Sequence, residues 1–246
     1  NALSNVLLHY RGVYESDDQV PINPLTGLRY RMGGSLADER FFRAGDPIWT
    51  DLNGDYILDE KDFVIVGNSQ PVFTGGFNAF LQYKSWSLNS QFFMTFKRDV
   101  LNNALADRLR NYSDPAGLAD SGPGALVPIE NMDIWTPSNT SSYFPNIYDF
   151  RRNRFIDPFR YDQTLFQEDG SYFKFTTATL SYNFDREMLS KRLGITSARV
   201  YFSANNIFTI SKYSGPDPEL VSALGRDSSA GYPNRRSYTV GVNVQF

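Results

Sequence analysis

Along much of this chain, large apolar residues alternate one by one with small or polar ones, a period of two that sends alternate side chains to opposite faces of a strand. The last ten residues show it most cleanly: Tyr238, Val240, Val242, Val244 and Phe246 alternate with Ser237, Thr239, Gly241, Asn243 and Gln245. From Trp86 onward, Trp86, Leu88, Phe92, Met94 and Phe96 are apolar while Ser87, Asn89, Gln91 and Thr95 are polar, with Ser90 and Phe93 out of step. Ala178, Leu180, Tyr182 and Phe184 oppose Thr177, Thr179, Ser181 and Asn183 in the same way. Gly76 to Lys84 and Arg199 to Ile210 read as two further strands, and Val6 to Tyr14 as a weaker sixth. The pattern predicts an all-β chain of antiparallel strands.

The connections fall into two kinds. Lys84-Ser85 is a hairpin-length turn. Asp185 to Ser197 is short, with a brief helical look at Met188, Leu189 and Leu193 that Gly194 stops. Residues 97–171 and 211–234 are long and rich in Pro, Gly, Asn, Asp, Tyr and Arg. Long structureless connections count against a compact soluble domain. Short turns alternating with long loops are the plan of an outer-membrane barrel. Yet the smallest single-chain membrane barrels need about eight strands, and an open edge in lipid strands backbone donors and acceptors at several kcal/mol each. Five or six strands cannot close. The pattern therefore leaves three readings: part of a larger barrel, a barrel shared by several chains, or a soluble sandwich. Internal repeats are absent, so a propeller or solenoid is not supported.

Composition narrows the chemistry. With 24 Lys+Arg against 27 Asp+Glu the net charge is −3, which argues against a nucleic-acid partner. The absence of Cys excludes a disulfide scaffold, thiolate metal sites and a cysteine nucleophile. A single histidine, His9, argues against a His-rich metal centre or a Ser-His-Asp triad. The longest apolar run, Phe63 to Val66, is far too short for a transmembrane helix. It does not exclude a membrane barrel, whose alternating strands look polar on average. The chain starts Asn1-Ala2-Leu3-Ser4 without Met, a basic segment or an apolar one, so any export signal is expected to have been removed or to lie upstream.

One segment carries a candidate metal site. Within Asp51 to Asp62, oxygen-bearing side chains stand at positions 1, 3, 5, 9 and 12 of a twelve-residue loop (Asp51, Asn53, Asp55, Asp59 and Asp62), with the Ile57 carbonyl at position 7. Such spacing can wrap Ca2+, or Mg2+, in a shell of hard oxygens. Tyr56 stands where Gly normally makes the sharp turn, and Asp62 where a bidentate Glu is usual. The other reading is a cluster of Asx turns, in which the carboxylates bond nearby backbone N–H groups.

Several segments in order resemble one family. Asp51 to Asp62, then Val66-Gly67-Asn68-Ser69-Gln70-Pro71 and Gly75-Gly76-Phe77, are similar to a signature of SusC/RagA-type TonB-dependent outer-membrane transporters. Ile134-Trp135-Thr136-Pro137-Ser138-Asn139 resembles that family's loop segment, and Asn205 to Glu219 a later one, with Pro216 replacing the usual aromatic. Tyr232-Pro233 and the terminal Phe246 are similar to the family ending.

The resemblance implies that residues 1–246 are the C-terminal segment of a 22-strand transmembrane β-barrel, with 97–171 a long extracellular loop and the plug, TonB box and earlier strands outside the chain. It further implies an outer-membrane location in a Gram-negative, Bacteroidetes-type bacterium, a SusD-like surface lipoprotein as lid, energy from TonB, and import of oligosaccharides or peptides. No enzymatic role is expected.

In that frame Trp86, Leu88, Phe92, Leu180, Tyr182, Val240 and Val242 face lipid, and Asn89, Gln91, Thr179, Asn243 and Gln245 face the lumen. Trp135, Tyr143, Phe144 and Tyr148 are candidate contacts for substrate or partner, since aromatic anchors suit both; the alternative is that they pack the loop on itself. Arg151, Arg152, Arg154 and Arg160 form a basic cluster suited to acidic groups or to a solvated face. Asp217 and Glu219 are discounted as an acid/base pair, because Pro216 and Pro218 imply a rigid turn. The runner-up reading is a secreted, Ca-dependent carbohydrate-binding β-sandwich whose apolar faces bury against each other.

Overall fold

A computed structural model describes residues 4–113, 129–184, 195–227 and 234–246. The strands, in chain order, are β1 (Asn5–Leu8), β2 (Tyr10–Val13), β3 (Arg31–Met32), β4 (Pro47–Trp49), β5 (Ile57–Leu58), β6 (Phe63–Val66), β7 (Phe73–Tyr83), β8 (Trp86–Phe96), β9 (Asp99–Leu101), β10 (Gln167–Asp169), β11 (Tyr172–Asn183), β12 (Ser197–Ser211) and β13 (Ser237–Gln245). Among the described residues two helices, α1 (Asn103–Ser113) and α2 (Phe150–Ile156), complete the main elements. The chain divides into two compact units. The first holds Asn1–Ser69, Leu101–Gln167 and Arg226–Ser229, and the second Gln70–Val100, Glu168–Gly225 and Ala230–Phe246.

The second unit is built on one antiparallel sheet in the order β13-β12-β11-β8-β7. Its strands are 11, 11, 12, 15 and 9 residues long from β7 to β13, enough for a tilted strand to cross a bilayer, which takes about 9–11 residues. The five firm strands of the sequence pattern are all here, with β7 starting at Phe73, ahead of the expected Gly76. Register joins Leu81, Leu88, Leu180, Phe202 and Val240 into one row across all five strands. Every member of that row lies on the apolar face.

That face is open. Val240 is 72% exposed and Leu81 65%. A sandwich would bury these residues against a second sheet; instead they remain uncovered, which overturns the sandwich reading. Phenylalanines tie the face together: Phe77 stacks on Phe92 at 4.5 Å, Phe92 on Phe175 at 4.4 Å, and Phe175 meets Phe208 edge-on at 5.6 Å. Tyr83, Trp86 and Tyr182 share the row at the hairpin end, and Phe73 and Phe96 pair at the other. Ten residues of β7 separate these aromatic rows, about 33 Å along the strand. Tilted by about 40°, that gives roughly 25 Å, the height of the apolar band of a membrane barrel between its aromatic girdles.

The opposite face is hydrogen-bonded crosswise. Ser87 and Ser181 lie 2.8 Å apart, Thr179 and Ser203 2.9 Å, and Arg199 donates to the Ser181 hydroxyl at 2.7 Å. Tyr201 lies over Gly241, where any Cβ would fall 2.3 Å from the ring. Register slips between Phe175 and Thr177 on both sides of β11, and Asn206 turns with φ 53°. Such bulges bend and twist a wall locally; nothing in the period-two pattern announces them.

The first unit departs most from expectation. Val6 to Tyr14 is not a sixth wall strand. It breaks into β1, paired with β6, and β2, paired with β4. The region 97–171, expected as a long loop, contributes α1, α2 and a core of Ala106, Leu109, Ile134, Ile147, Phe159, Leu165 and Phe166. A second cluster gathers Leu8, Tyr14, Val20, Tyr30, Phe42, Trp49, Leu58 and Ile156. The helical look at Met188, Leu189 and Leu193 lies outside the described residues, as do Tyr232 and Pro233.

Arg152 pins α2 to this unit. Its guanidinium donates to both Asp46 oxygens, at 2.5 and 3.3 Å, and to the Phe41 carbonyl at 2.8 Å. Burial pushes the Asp46 carboxyl up to about 6 from its ordinary 3.8, against the pull of Arg152. A carboxyl with a higher pKa folded than unfolded contributes stability that is full below the unfolded value and is lost as pH rises through the folded one. The stability of the full receptor should therefore fall as pH rises from about 4 to 6.5 through this group. Urea unfolding of Asp46→Asn should lack that component; an unchanged pH slope contradicts it.

Candidate functional site

The acidic loop folds between β4 and β6. Asp51 accepts from the Gly54 and Tyr56 N–H groups at 2.8 and 2.9 Å. Asp55 accepts from the Ile57 N–H and from the Asn53 side-chain amide, at 2.8 and 2.9 Å. The Asn53 side-chain oxygen accepts from the Asp55 N–H. Asp62, fully buried, takes the Leu52 and Asp59 N–H groups at 2.9 and 2.8 Å, while Asp59 caps the short turn Glu60–Asp62 by accepting from Lys61. Among the described residues no three acidic side chains converge as a metal-binding group. The geometry found is that of the Asx-turn reading. Tyr56 nevertheless adopts the left-handed turn, φ 64°, that Gly normally supplies at this position.

The aromatic candidates separate. Trp135 is 8% exposed, its ring against Gly45, whose φ is 88° and where a Cβ would fall 2.8 Å from the indole. It therefore packs the loop instead of presenting a face. Phe144 is half-buried and brackets Trp135 through two backbone links, Trp135 N–H to the Phe144 carbonyl and Phe144 N–H to the Asp133 carbonyl. Tyr143 and Tyr148 are the exposed pair, at 56% and 55%. Tyr143 stands edge-on to Tyr10, whose hydroxyl donates to its carbonyl.

The basic cluster does not act as one patch. Arg152 is consumed by Asp46, and Arg160 pairs with Asp162 at 2.5 and 2.8 Å while lying over Trp49 and Phe63. Arg154 is exposed, and the Arg151 side chain lies outside what is described. His9 is exposed beside Thr50 at 3.1 Å.

In the second unit, Asp217 and Glu219 organise the loop after β12. Glu219 pairs with Lys174, a nearly buried lysine on the hydrophilic face of β11, and accepts from the Asn234 amide at 2.9 Å. Asp217 accepts from Glu219 N–H at 3.0 Å and from the Asn234 amide at 3.2 Å. Both carboxylates are tied into this network, in keeping with the rigid turn expected there. Sequence reading missed Lys174 and the Asp46–Arg152 pair. Their partners lie 45 and 106 residues away, and neither spacing repeats any local motif.

A strand wall with one lipid-compatible face and one hydrophilic face, crossed by aromatic rows about 25 Å apart, defines part of a transmembrane β-barrel. No protein-family model matches the chain. It is 29% identical over 244 residues to TonB-dependent receptor P3 and 27% identical over 222 residues to TonB-dependent receptor P39, both of Formosa agariphila, matching 92% and 84% of this chain. TonB-dependent receptor SusC of Bacteroides thetaiotaomicron is 30% identical over 86 residues. The chain spans 22% and 19% of the length of the two Formosa relatives. Its fold matches that of the RagAB peptide transporter, with a TM-score of 0.67 at 20% identity over 99% of this chain and 22% of that one. The chain is thus similar over most of its length to TonB-dependent receptors, and it shares the fold of a portion of the RagAB transporter.

Proposed function

We propose that this chain is the C-terminal wall and loop portion of an active importer, not an enzyme, in the outer membrane of a Bacteroidetes-type bacterium. In this reading a barrel of the 22-strand type takes up oligosaccharides or peptides, a SusD-like lipoprotein lids it, and TonB supplies the energy through a segment outside this chain. The observation that carries the proposal is the two-faced wall of β7, β8, β11, β12 and β13, with Val240 and Val242 exposed on one side and Asn89, Gln91, Thr179 and Arg199 on the other. Among the described residues its outer strands β7 and β13 each pair on one edge only. In hydrocarbon those free edges need neighbours, as a larger barrel would supply. Of the four aromatic candidates, Tyr143 and Tyr148 are the ones exposed to touch substrate or lid, with Trp135 and Phe144 acting through packing.

Uptake of labelled oligosaccharides or peptides by cells that depend on the full receptor should fall to background on deletion of TonB or of the lipoprotein. Uptake that persists unchanged without TonB contradicts the proposal.

Ca2+ or Mg2+ at the loop of Asp51, Asn53, Asp55, Ile57, Asp59 and Asp62 is a second proposal, supported by the oxygen spacing and the left-handed turn at Tyr56. Binding would draw side chains off their present N–H partners toward the ion. Calorimetric titration of the full receptor with CaCl2 should give a saturable heat that Asp51→Asn removes; a titration without heat in the wild type overturns it.

A further inference from the structure

The two ends of the apolar face differ in chemistry. At the end away from the Lys84-Ser85 turn the face closes with Phe73 and Phe96, paired by register and stacked at 6.3 Å. Those rings have no polar tip. At the turn end, register places Tyr83, Trp86 and Tyr182 side by side on three adjacent strands, with Trp86 edge-on to Tyr182 at 4.9 Å. Each of these carries a hydrogen-bonding tip. Lys84 joins them, its ammonium 5.3 Å from the centre of the Tyr83 ring.

These four tips are unspent. Among the described residues no hydrogen bond engages the Tyr83 or Tyr182 hydroxyl, the Trp86 indole N–H or the Lys84 ammonium, and Lys84 makes no ion pair. Tyr83, Lys84 and Trp86 are exposed and Tyr182 is half-buried. The described acidic side chains of this unit, Asp99, Glu168, Asp169, Asp217 and Glu219, all lie beyond the opposite, loop ends of the strands. The turn end therefore offers a cation and several donors with no carboxylate to answer them.

In a bilayer such tips stand where the hydrocarbon stops, because amphipathic rings and lysine ammoniums settle at headgroup depth. Strands about 4.8 Å apart spread the three rings over about 10 Å, a width that one headgroup covers. An ammonium and an indole N–H only donate, and phosphodiester oxygens only accept. A choline or ethanolamine headgroup brings its own cation beside the phosphate, which Lys84 repels. A glycerol headgroup leaves the phosphate its net charge and adds hydroxyls for the tyrosines to bond.

We propose that Lys84, Tyr83, Trp86 and Tyr182 form a site for the headgroup of an anionic phospholipid, in the leaflet on the short-turn side of the wall. The site rests on the reading of this sheet as a barrel wall in lipid. Which headgroup is held and whether the face meets hydrocarbon are separate measurements, so the two can fail separately.

Native mass spectrometry of the full purified receptor, titrated in detergent with phosphatidylglycerol or phosphatidylcholine of the same chains, tests the site. The first phosphatidylglycerol should bind several-fold tighter than the first phosphatidylcholine. Lys84→Gln should weaken it about fivefold, the share of one lysine at an anionic lipid surface, and Tyr83→Phe with Tyr182→Phe should weaken it without affecting phosphatidylcholine. Lys84 is exposed at a turn, so its variant should melt with the wild type. Lys97→Gln, beside the phenylalanine end, should bind as the wild type does. Equal affinity for the two lipids, unchanged binding in Lys84→Gln, an equal loss in Lys97→Gln, or displacement of the lipid by millimolar glycerol phosphate, the mark of a free-phosphate site, overturns the proposal. Chain-brominated phosphatidylcholine should quench fluorescence that Trp86→Phe lacks. Absence of that quenching counts against the lipid-facing wall, and quenching without headgroup preference counts against the headgroup site alone.

Discussion

Hydrocarbon offers no hydrogen bonds, so every backbone N–H and C=O that enters it must be satisfied by another strand. The five-stranded sheet obeys this along its interior. Its row of Leu81, Leu88, Leu180, Phe202 and Val240 is continuous because the register is continuous, and one slip would exchange the two faces. The phenylalanine contacts from Phe77 to Phe208 reinforce that register from the lipid side, and the Ser87–Ser181 and Thr179–Ser203 bonds from the other. Where the register does slip, beside Thr176, the Thr176 hydroxyl donates to the Gln91 carbonyl and restores a backbone partner.

The first unit solves a different problem. It has little regular structure, and its strands β3 and β5 are only two residues long. Side chains therefore do what ladders do elsewhere. Arg152 joins α2 to Asp46 and Phe41, and Gln163 accepts from Trp49 while donating to the Pro158 and Arg160 carbonyls. Buried pairs of this kind are costly to desolvate and costlier to break. They specify one arrangement of long connections that would otherwise have little to choose between conformations.

The wall was legible in the sequence because its signal is local: every second residue, ten or so at a time, from Trp86 to Phe96 and from Ser237 to Gln245. The order of strands and the bulge at Thr176 were not, since pairing partners lie far apart and a single extra residue barely disturbs the alternation. The helices and core within 97–171 were not legible, because the helices are short and the apolar residues, such as Ile134, Ile147 and Phe159, follow no single period. Trp135 shows the limit most clearly. An aromatic in a Pro- and Asn-rich stretch reads equally as anchor or as core, and what decides is Gly45, 90 residues earlier, whose missing side chain makes room for the indole. In the acidic loop the spacing was legible, but Tyr56 in a glycine's conformation was not.

The central claim is that the apolar face of this sheet meets lipid and its opposite face meets water. Nitroxide spin labels placed one at a time along β13 of the full receptor in liposomes test it directly, through their collision rates with oxygen and with a water-soluble nickel chelate. The account predicts that Tyr238, Val240, Val242 and Val244 favour oxygen while Thr239, Gly241 and Asn243 favour the chelate, in strict alternation. Chelate access at Val240 and Val242 equal to that at Asn243 would contradict it.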